Sequence, residues 1–137
     1  MQVFVPELDF KSIAQVLDYR RLGKQRVETF QILRANLDMT LGWKNHPASR
    51  MWADNLAGLS AYGVAMCREW KARGYKDTTM EKIIALVEPD PTDLPDWWGR
   101  MDIVESHRSN LIRKAPEFYG DIWLDVPDDL PYVWVMK

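Results

Sequence analysis

The 137-residue chain has little cysteine, histidine and net charge, and each shortage excludes a class of protein. Its one cysteine, Cys67, excludes a disulfide framework and any metal site built from several cysteines. Cys67, His46 and His107 also lack the close spacing of zinc ligands, so we expect neither a metal nor a cofactor. The net charge of −2 excludes a protein that coats nucleic acid through bulk charge, but it permits a local basic face.

Long apolar segments and glycine-rich loops are also missing from the sequence. No apolar run approaches the roughly 20 residues that span a bilayer. Residues 1–7 lack the basic start and apolar stretch of a signal peptide. The seven glycines are scattered singly, which argues against a phosphate-binding loop. We therefore expect a monomeric, cytoplasmic protein that does not bind membranes.

Hydrophobic periodicity predicts an all-α fold, a compact helical bundle formed by one domain over residues 1–137. Residues 1–10 are expected to form an extended arm, and the aromatic-rich C-terminal tail is expected to be irregular. The predicted helices cover residues 11–17, 24–37, 49–73 with a break, 78–86 and 97–110, with the basic segment 18–23 as an interruption. Asp9 or Ser12 is the candidate cap of the first helix, Asp18 could cap the second, and Gly74 is the expected stop after residue 73. The expected core residues are Val27, Phe30, Leu33, Leu59, Tyr62, Met66 and Trp70.

Charge is distributed unevenly along the chain. Residues 1–51 contain eight Lys or Arg against five Asp or Glu, and residues 87–106 contain six acids against one base. The densest basic runs contain Arg20, Arg21, Lys24 and Arg26, and then His107, Arg108, Arg113 and Lys114. These runs are candidates for a patch that faces nucleic-acid phosphates.

Glu28 is the only acid among the cations of residues 20–34. On a helix, Arg21, Gln25 and Glu28 lie one above another. Glu28 then forms an ordinary ion pair with Lys24, worth a few tenths of a kcal/mol, or it is a carboxylate that stays ionised among cations and stabilises positive charge on a substrate. The residues alone leave both interpretations open. They also leave His46 and His107 open between a structural and a site role.

Four motifs carry a resemblance to a known family. In order, they are Leu22-x-x-Gln25-x-x-Glu28, Gly42-Trp43-Lys44-Asn45-His46-Pro47, Arg73-Gly74-Tyr75, and Pro116-Glu117-Phe118-Tyr119-Gly120. Their order and spacing resemble the pyrimidine-dimer DNA glycosylase family of the endonuclease V type, and most closely an actinobacterial and phage branch of it.

The resemblance implies an all-α DNA repair enzyme, a hydrolase with coupled AP-lyase activity that acts on damaged or modified pyrimidines. In that family the terminal α-amine attacks C1′, displaces the base and forms an imine, and a glutamate assists. Carried over, the glutamate is Glu28, the basic position before Leu22 is Arg21, and Val27 stands where the family has Arg. Gln2 is too large for ordinary removal of the initiator methionine, so the amine belongs to Met1. An α-amine is far less basic than lysine, so an appreciable fraction is a free nucleophile near neutral pH.

The sequence thus predicts a DNA-binding site without metal or cofactor. Its catalytic candidates are Met1 and Glu28. Its DNA-binding candidates are Arg20, Arg21, Lys24, Gln25, Arg26, His46, Arg50, His107, Arg108 and Asn110. Two other functions stay open: a non-catalytic nucleic-acid or nucleotide-binding module on the same scaffold, and a helical interaction protein whose acidic loop 88–96 docks a basic partner.

Overall fold

The computed structural model describes residues 1–40 and 42–135, which form seven helices and no strand. The helices are α1 (Phe10–Val16), α2 (Tyr19–Asn36), α3 (Pro47–Met51), α4 (Leu56–Ala72), α5 (Thr79–Leu86), α6 (Met101–Lys114) and α7 (Pro116–Tyr119). The predicted all-α fold is confirmed. None of the described helices combines the length and the apolar character that crossing a membrane requires.

Helices α2 and α4 form the central pair of the bundle. Helix α5 packs against both, α1 packs against α4, and α3 packs against α2. The close approach depends on Gly63 of α4. A Cβ atom there would lie 2.5 Å from Cγ2 of Thr29 on α2 and 2.9 Å from Cδ1 of Ile83 on α5.

The N-terminal arm is extended, as predicted, and it is also part of the core. Residues 2–6 are buried, and Val3, Phe4 and Val5 belong to the main hydrophobic cluster. Their backbone groups are hydrogen-bonded by side chains of α2, α4 and α6. The arm therefore lies among three helices, and its first residue is presented at a fixed place.

Helix α2 differs from the predictions at two points. It begins at Tyr19, directly after the candidate cap Asp18, and runs without a break through Gly23, where a Cβ atom would lie 3.0 Å from the Trp70 indole. Val27, expected in the core, is 43% exposed. The buried face of α2 includes the polar residues Gln25 and Thr29, so hydrophobic periodicity alone places that face wrongly.

The other predicted core residues differ in how deeply they are buried. Leu33, Leu59, Tyr62 and Met66 are fully buried as predicted. Phe30 and Trp70 are only half-buried and pack against the edge of the cluster.

Helix α6 begins four residues later than predicted and ends four residues later. Trp97 is held in a preceding turn, where its indole N–H donates to the Met51 carbonyl at 3.0 Å. Gly99 then adopts a positive φ of 90°, which glycine tolerates without strain. Two terminal signals are confirmed: the Asp9 side chain caps α1 by accepting from Ser12 N, and Gly74 (φ 97°) follows the end of α4.

The acidic loop 88–96 packs onto the first turn of α4. The Asp93 carboxylate accepts from Asn55 Nδ2 at 2.9 Å and from Gly58 N at 3.2 Å. A Cβ atom at position 58 would lie 1.8 Å from the Asp93 carbonyl oxygen. Only glycine allows this approach of two backbones.

Gly58→Ala is therefore expected to lower the free energy of unfolding by about 1–3 kcal/mol, the usual cost of overpacking a close contact. Chemical denaturation of the purified variant measures this. Gly42→Ala is the matched control, because a Cβ atom at position 42 meets nothing within 4 Å. Equal stability of the two variants would contradict the docking of loop 88–96 as described.

Candidate active site

Gln25 is the residue that fixes the N-terminal arm to α2. Its Oε1 accepts from Phe4 N at 3.0 Å, and its Nε2 donates to the Gln2 carbonyl oxygen at 2.8 Å. The side chain is buried, so these bonds form away from competing water. Gln25 pairs with the arm much as a neighbouring strand would.

Tyr62 and His107 complete the attachment of the arm. The Tyr62 hydroxyl lies 2.7 Å from Gln25 Oε1 and 2.7 Å from the Phe4 carbonyl oxygen. Burial raises the pKa of Tyr62, so its hydroxyl remains a donor. His107 Nδ1 accepts from Val5 N at 2.9 Å. Because successive backbone groups of the arm have partners, the arm has one register.

The arm ends in a cleft of about 380 Å³. The cations that line this cleft are Arg20, Arg21, Lys24 and Lys114, and Met1 lies among them. Among the described residues that line the cleft, Glu28 alone bears a carboxylate. A surface with this charge pattern attracts a polyanion and offers one anionic group to a cationic centre.

Glu28 is held by one of its two carboxylate oxygens. Oε2 accepts from Gln25 Nε2 at 3.1 Å and from the Gln2 backbone N–H at 3.4 Å. Within residues 1–40 and 42–135 no ion pair joins Glu28 to Lys24, and no hydrogen bond holds Oε1. The ordinary ion pair is therefore not formed, and one oxygen stays available to a ligand in the cleft.

The four cations of the cleft differ in how firmly they are held. Arg21 forms an ion pair with Asp18 at 3.3 Å, and Arg20 Nε donates to the Tyr19 hydroxyl at 3.1 Å. Lys24 and Lys114 are exposed. The rim thus combines two guanidinium groups that have hydrogen-bond partners with two exposed ammonium groups.

His46 lies at the N-terminus of α3, close enough to Met1 and Glu28 to respond to their charges. Its Nδ1 accepts from Ala48 N at 3.0 Å, and its ring contacts Trp43 and Trp134 edge-on at 5.6 and 6.0 Å between centroids. Partial burial lowers the pKa of His46, and the terminal ammonium lowers it further, against the opposing effect of Glu28. Arg50, half-buried, follows in the same helix.

Arg26 and Arg108 do not line the cleft. Arg26 forms an ion pair with the buried carboxylate of Asp77 and lies over the Trp70 ring at 4.3 Å. Arg108 donates to the Pro6 carbonyl at 2.7 Å and pairs with Glu7 at 3.0 Å. The cations of the predicted phosphate-facing patch are therefore separated. Some line the cleft, whereas Arg26 and Arg108 form ion pairs within the fold.

Three further candidates are buried. Gln25 and His107 hold the arm, and Asn110 Nδ2 donates to the Ser106 and Leu130 carbonyls at 2.8 and 3.1 Å. These three side chains form their hydrogen bonds within the protein. The structure therefore favours a role in positioning other parts of the fold over direct contact with DNA.

Four residues that line the cleft are absent from the predicted catalytic and DNA-binding set: Gln2, Phe4, Lys114 and Tyr132. Lys114 belongs to a basic run that was predicted to face phosphates, so the sequence carried a signal for it. Tyr132 comes from the irregular tail, which has no periodicity, and only the folded chain brings it against Phe4 and His107.

Comparison with known proteins gives one match. The model of the pyrimidine dimer DNA glycosylase family matches residues 1–82, which include the arm, α1 to α4 and the first half of α5. No curated protein and no solved structure matches the chain. The branch of the family suggested by the sequence stays a prediction.

The contact between His107 and Val5 predicts acid sensitivity. Burial lowers the pKa of His107 to about 3, whereas an unfolded histidine titrates near 6.5. Between these pH values the unfolded chain binds one more proton, so stability is expected to fall as pH falls, by up to about 1.4 kcal/mol per unit. Denaturant titrations from pH 7 to pH 4 measure the slope. The His107→Asn variant keeps an acceptor for Val5 N but has no titrating group, so its stability should depend less on pH. If wild type and variant show the same slope, burial of a neutral His107 does not cause the acid sensitivity.

Proposed function

The chain belongs to the pyrimidine dimer DNA glycosylase family, a family of DNA repair enzymes, and from that premise we propose that it is a glycosylase with AP-lyase activity whose nucleophile is the amine of Met1. One observation carries the proposal. The arm is held by Gln25, and Met1 lines a cationic cleft in which Glu28 is the one carboxylate among the described lining residues.

In this proposal the cations of the cleft hold the DNA backbone. Arg20, Arg21, Lys24 and Lys114 contact phosphates on either side of the damaged nucleotide. Such contacts release counterions, so affinity falls steeply with salt and depends little on sequence. The damaged nucleotide leaves the base stack to reach the amine, as enzymes that act on a base require.

The first chemical step replaces the base by the amine. The nitrogen lone pair of Met1 forms a bond to C1′ while the glycosidic bond breaks, and its electron pair leaves with the base, which takes up a proton. The nitrogen then loses a proton, and its lone pair forms the C1′–nitrogen double bond while the C1′–O4′ bond breaks and O4′ takes up a proton. The sugar ring is now open, and C1′ and nitrogen share a protonated imine. Glu28 stabilises the positive charge of this transition state through its open Oε1.

The second step cuts the strand. Water takes a proton from C2′, the electrons of the C2′–H bond form a carbon–carbon double bond between C2′ and C3′, and the 3′ phosphate departs with the electrons of the C3′–O bond. A second water then hydrolyses the imine and regenerates the amine.

Borohydride trapping on DNA with an abasic site tests the proposed nucleophile. We expect a covalent protein–DNA adduct, because borohydride reduces the imine to a stable amine, and peptide mapping should place it on Met1. A Gly-Ser extension before Met1 should abolish trapping, since it moves the amine away from the cleft.

Two lysines of the same cleft provide the rival nucleophiles. Lys24→Arg and Lys114→Arg keep the charge and should leave the adduct in place. An adduct that maps to Lys24 or Lys114 would contradict the role of Met1. Wild-type protein that binds abasic DNA in a salt-dependent manner without any adduct would instead support the non-catalytic binding module.

Glu28→Gln is expected to lower glycosylase turnover by about 10²–10³-fold, the scale for removing one preorganised electrostatic group. The glutamine oxygen still accepts from Gln25 and Gln2, so the fold should persist. DNA affinity should be equal or higher, because one negative charge leaves the cleft. Single-turnover kinetics and a binding titration separate the two effects.

Glu105→Gln is the matched control, since Glu105 is an exposed carboxylate on α6 that does not line the cleft. It should leave turnover unchanged. If Glu28→Gln behaves like this control, Glu28 has no part in the chemistry.

A further inference from the structure

A second cleft, of about 450 Å³, adjoins the first. Arg20, Arg21 and Lys114 line both clefts and so form a ridge between them. Beyond the ridge, the second cleft is lined by Tyr19, Glu117 and Phe118 among others. Its chemistry thus changes from cationic at the shared edge to aromatic and acidic further out.

The walls of the second cleft are fixed relative to each other. The Tyr119 hydroxyl of α7 accepts from Asp18 N at 2.8 Å and donates to the Asp18 carboxylate, which also pairs with Arg21. Tyr119 is fully buried and stacks on Trp123 with an interplanar angle of 4°. The cleft between α7 and the start of α2 is therefore formed before any ligand arrives.

Two aromatic rings at this cleft remain open to solvent. Tyr19 is 51% exposed and Phe118 is 45% exposed. Exposed rings beside cations are the combination that single-stranded nucleic-acid sites use, with cations on the backbone and rings against the bases. The carboxylate of Asp18 is occupied, whereas no ion pair or hydrogen bond in the described chain holds Glu117.

We propose that the second cleft binds the nucleotide next to the reacting one, with its phosphate on the ridge of Arg20, Arg21 and Lys114 and its base against Phe118 or Tyr19. The proposal rests on the proposed function and deepens it. Because the base must leave its own stack to enter the cleft, the substrate class is DNA in which two adjacent nucleotides are unstacked.

Glu117 determines which part of the nucleotide occupies the outer cleft. A phosphate there would be repelled by the carboxylate, so the phosphate stays at the ridge. A carboxylate accepts hydrogen bonds from exocyclic amines, such as N4 of cytosine. The subsite therefore prefers cytosine to thymine at the flanking position.

The test uses the full chain and single-stranded DNA with one abasic site. In one set of substrates, a tetrahydrofuran spacer replaces the flanking nucleotide on the 5′ or the 3′ side, which keeps the phosphate and removes the base. On one side, the spacer should raise the wild-type KM for strand cutting by about 5- to 150-fold, equivalent to the 1–3 kcal/mol of one stacked base. The value of kcat should stay the same.

Phe118→Ala and Tyr19→Ala, alone and combined, should raise the KM on the intact substrate, and the combined variant should no longer respond to the spacer. Leu124→Ala is the control, since Leu124 is 78% exposed and lines neither cleft. Glu117→Ala should abolish the preference for a flanking cytosine over thymine. Thermal melting confirms that these surface variants remain folded.

The outcomes separate the two proposals. If the wild type forms no borohydride adduct on any substrate, the proposed function fails. If the adduct forms normally but the spacer changes KM on neither side, the flanking subsite alone is overturned. The subsite is also overturned if the combined aromatic variant matches Leu124→Ala on the intact substrate.

Discussion

The burial of the N-terminal arm is the constraint on which the site depends. An extended segment inside a helical bundle has no neighbouring strand, and each buried backbone group without a partner costs free energy comparable to a lost hydrogen bond. Gln25, Tyr62 and His107 supply those partners from three different helices. Gln25 also donates to Glu28. The side chain that fixes the arm therefore also orients the carboxylate. The Gln25 amide thus sets the position of Glu28 relative to the start of the arm, where Met1 lies.

Cations that are close in the sequence have different roles, because they face different sides of the helix. Positions 24 and 26 are about 200° apart around a helix, so Lys24 faces the cleft while Arg26 faces the opposite side. There Arg26 meets the Asp77 carboxylate and the Trp70 ring, and its charge is balanced inside the protein. Arg108 is balanced likewise by Glu7 at the end of the arm. Arg26 and Arg108, both expected in a phosphate-facing patch, thus stabilise the fold, and the chain carries a strongly basic cleft despite its net negative charge.

Much of the fold and the centre of the site could be predicted from local rules, whereas the edges of the site could not. Gly74, the Asp9 cap and the shared helical face of Arg21, Gln25 and Glu28 follow from backbone conformation and helical spacing. The burial of Gln25 and the exposure of Val27 do not follow from those rules. The arm comes from another part of the chain, and its backbone supplies the hydrogen-bond partners that let a polar side chain occupy the core. The position of Tyr132 could not be predicted either, because it also depends on contacts between distant parts of the chain. Its place depends on the tail crossing α6, where Ser109 Oγ accepts from Leu130 N and Ser106 Oγ accepts from Val133 N.

A rigid arm has a consequence for the proposed reaction. The backbone that follows Met1 is hydrogen-bonded at Gln2, Phe4 and Val5. In the proposed reaction the amine is therefore a fixed nucleophile, and the sugar must move to it. Holding one reactant in place lowers the entropic part of the barrier, but the unstacking energy of the DNA then enters the total barrier. That energy is smallest where a base is damaged or already unpaired. In the proposed reaction, selectivity for damaged DNA would therefore arise in part from the DNA itself. The proposed roles of the cleft residues are then to hold the phosphates, stabilise the charge at C1′ and keep the arm in register.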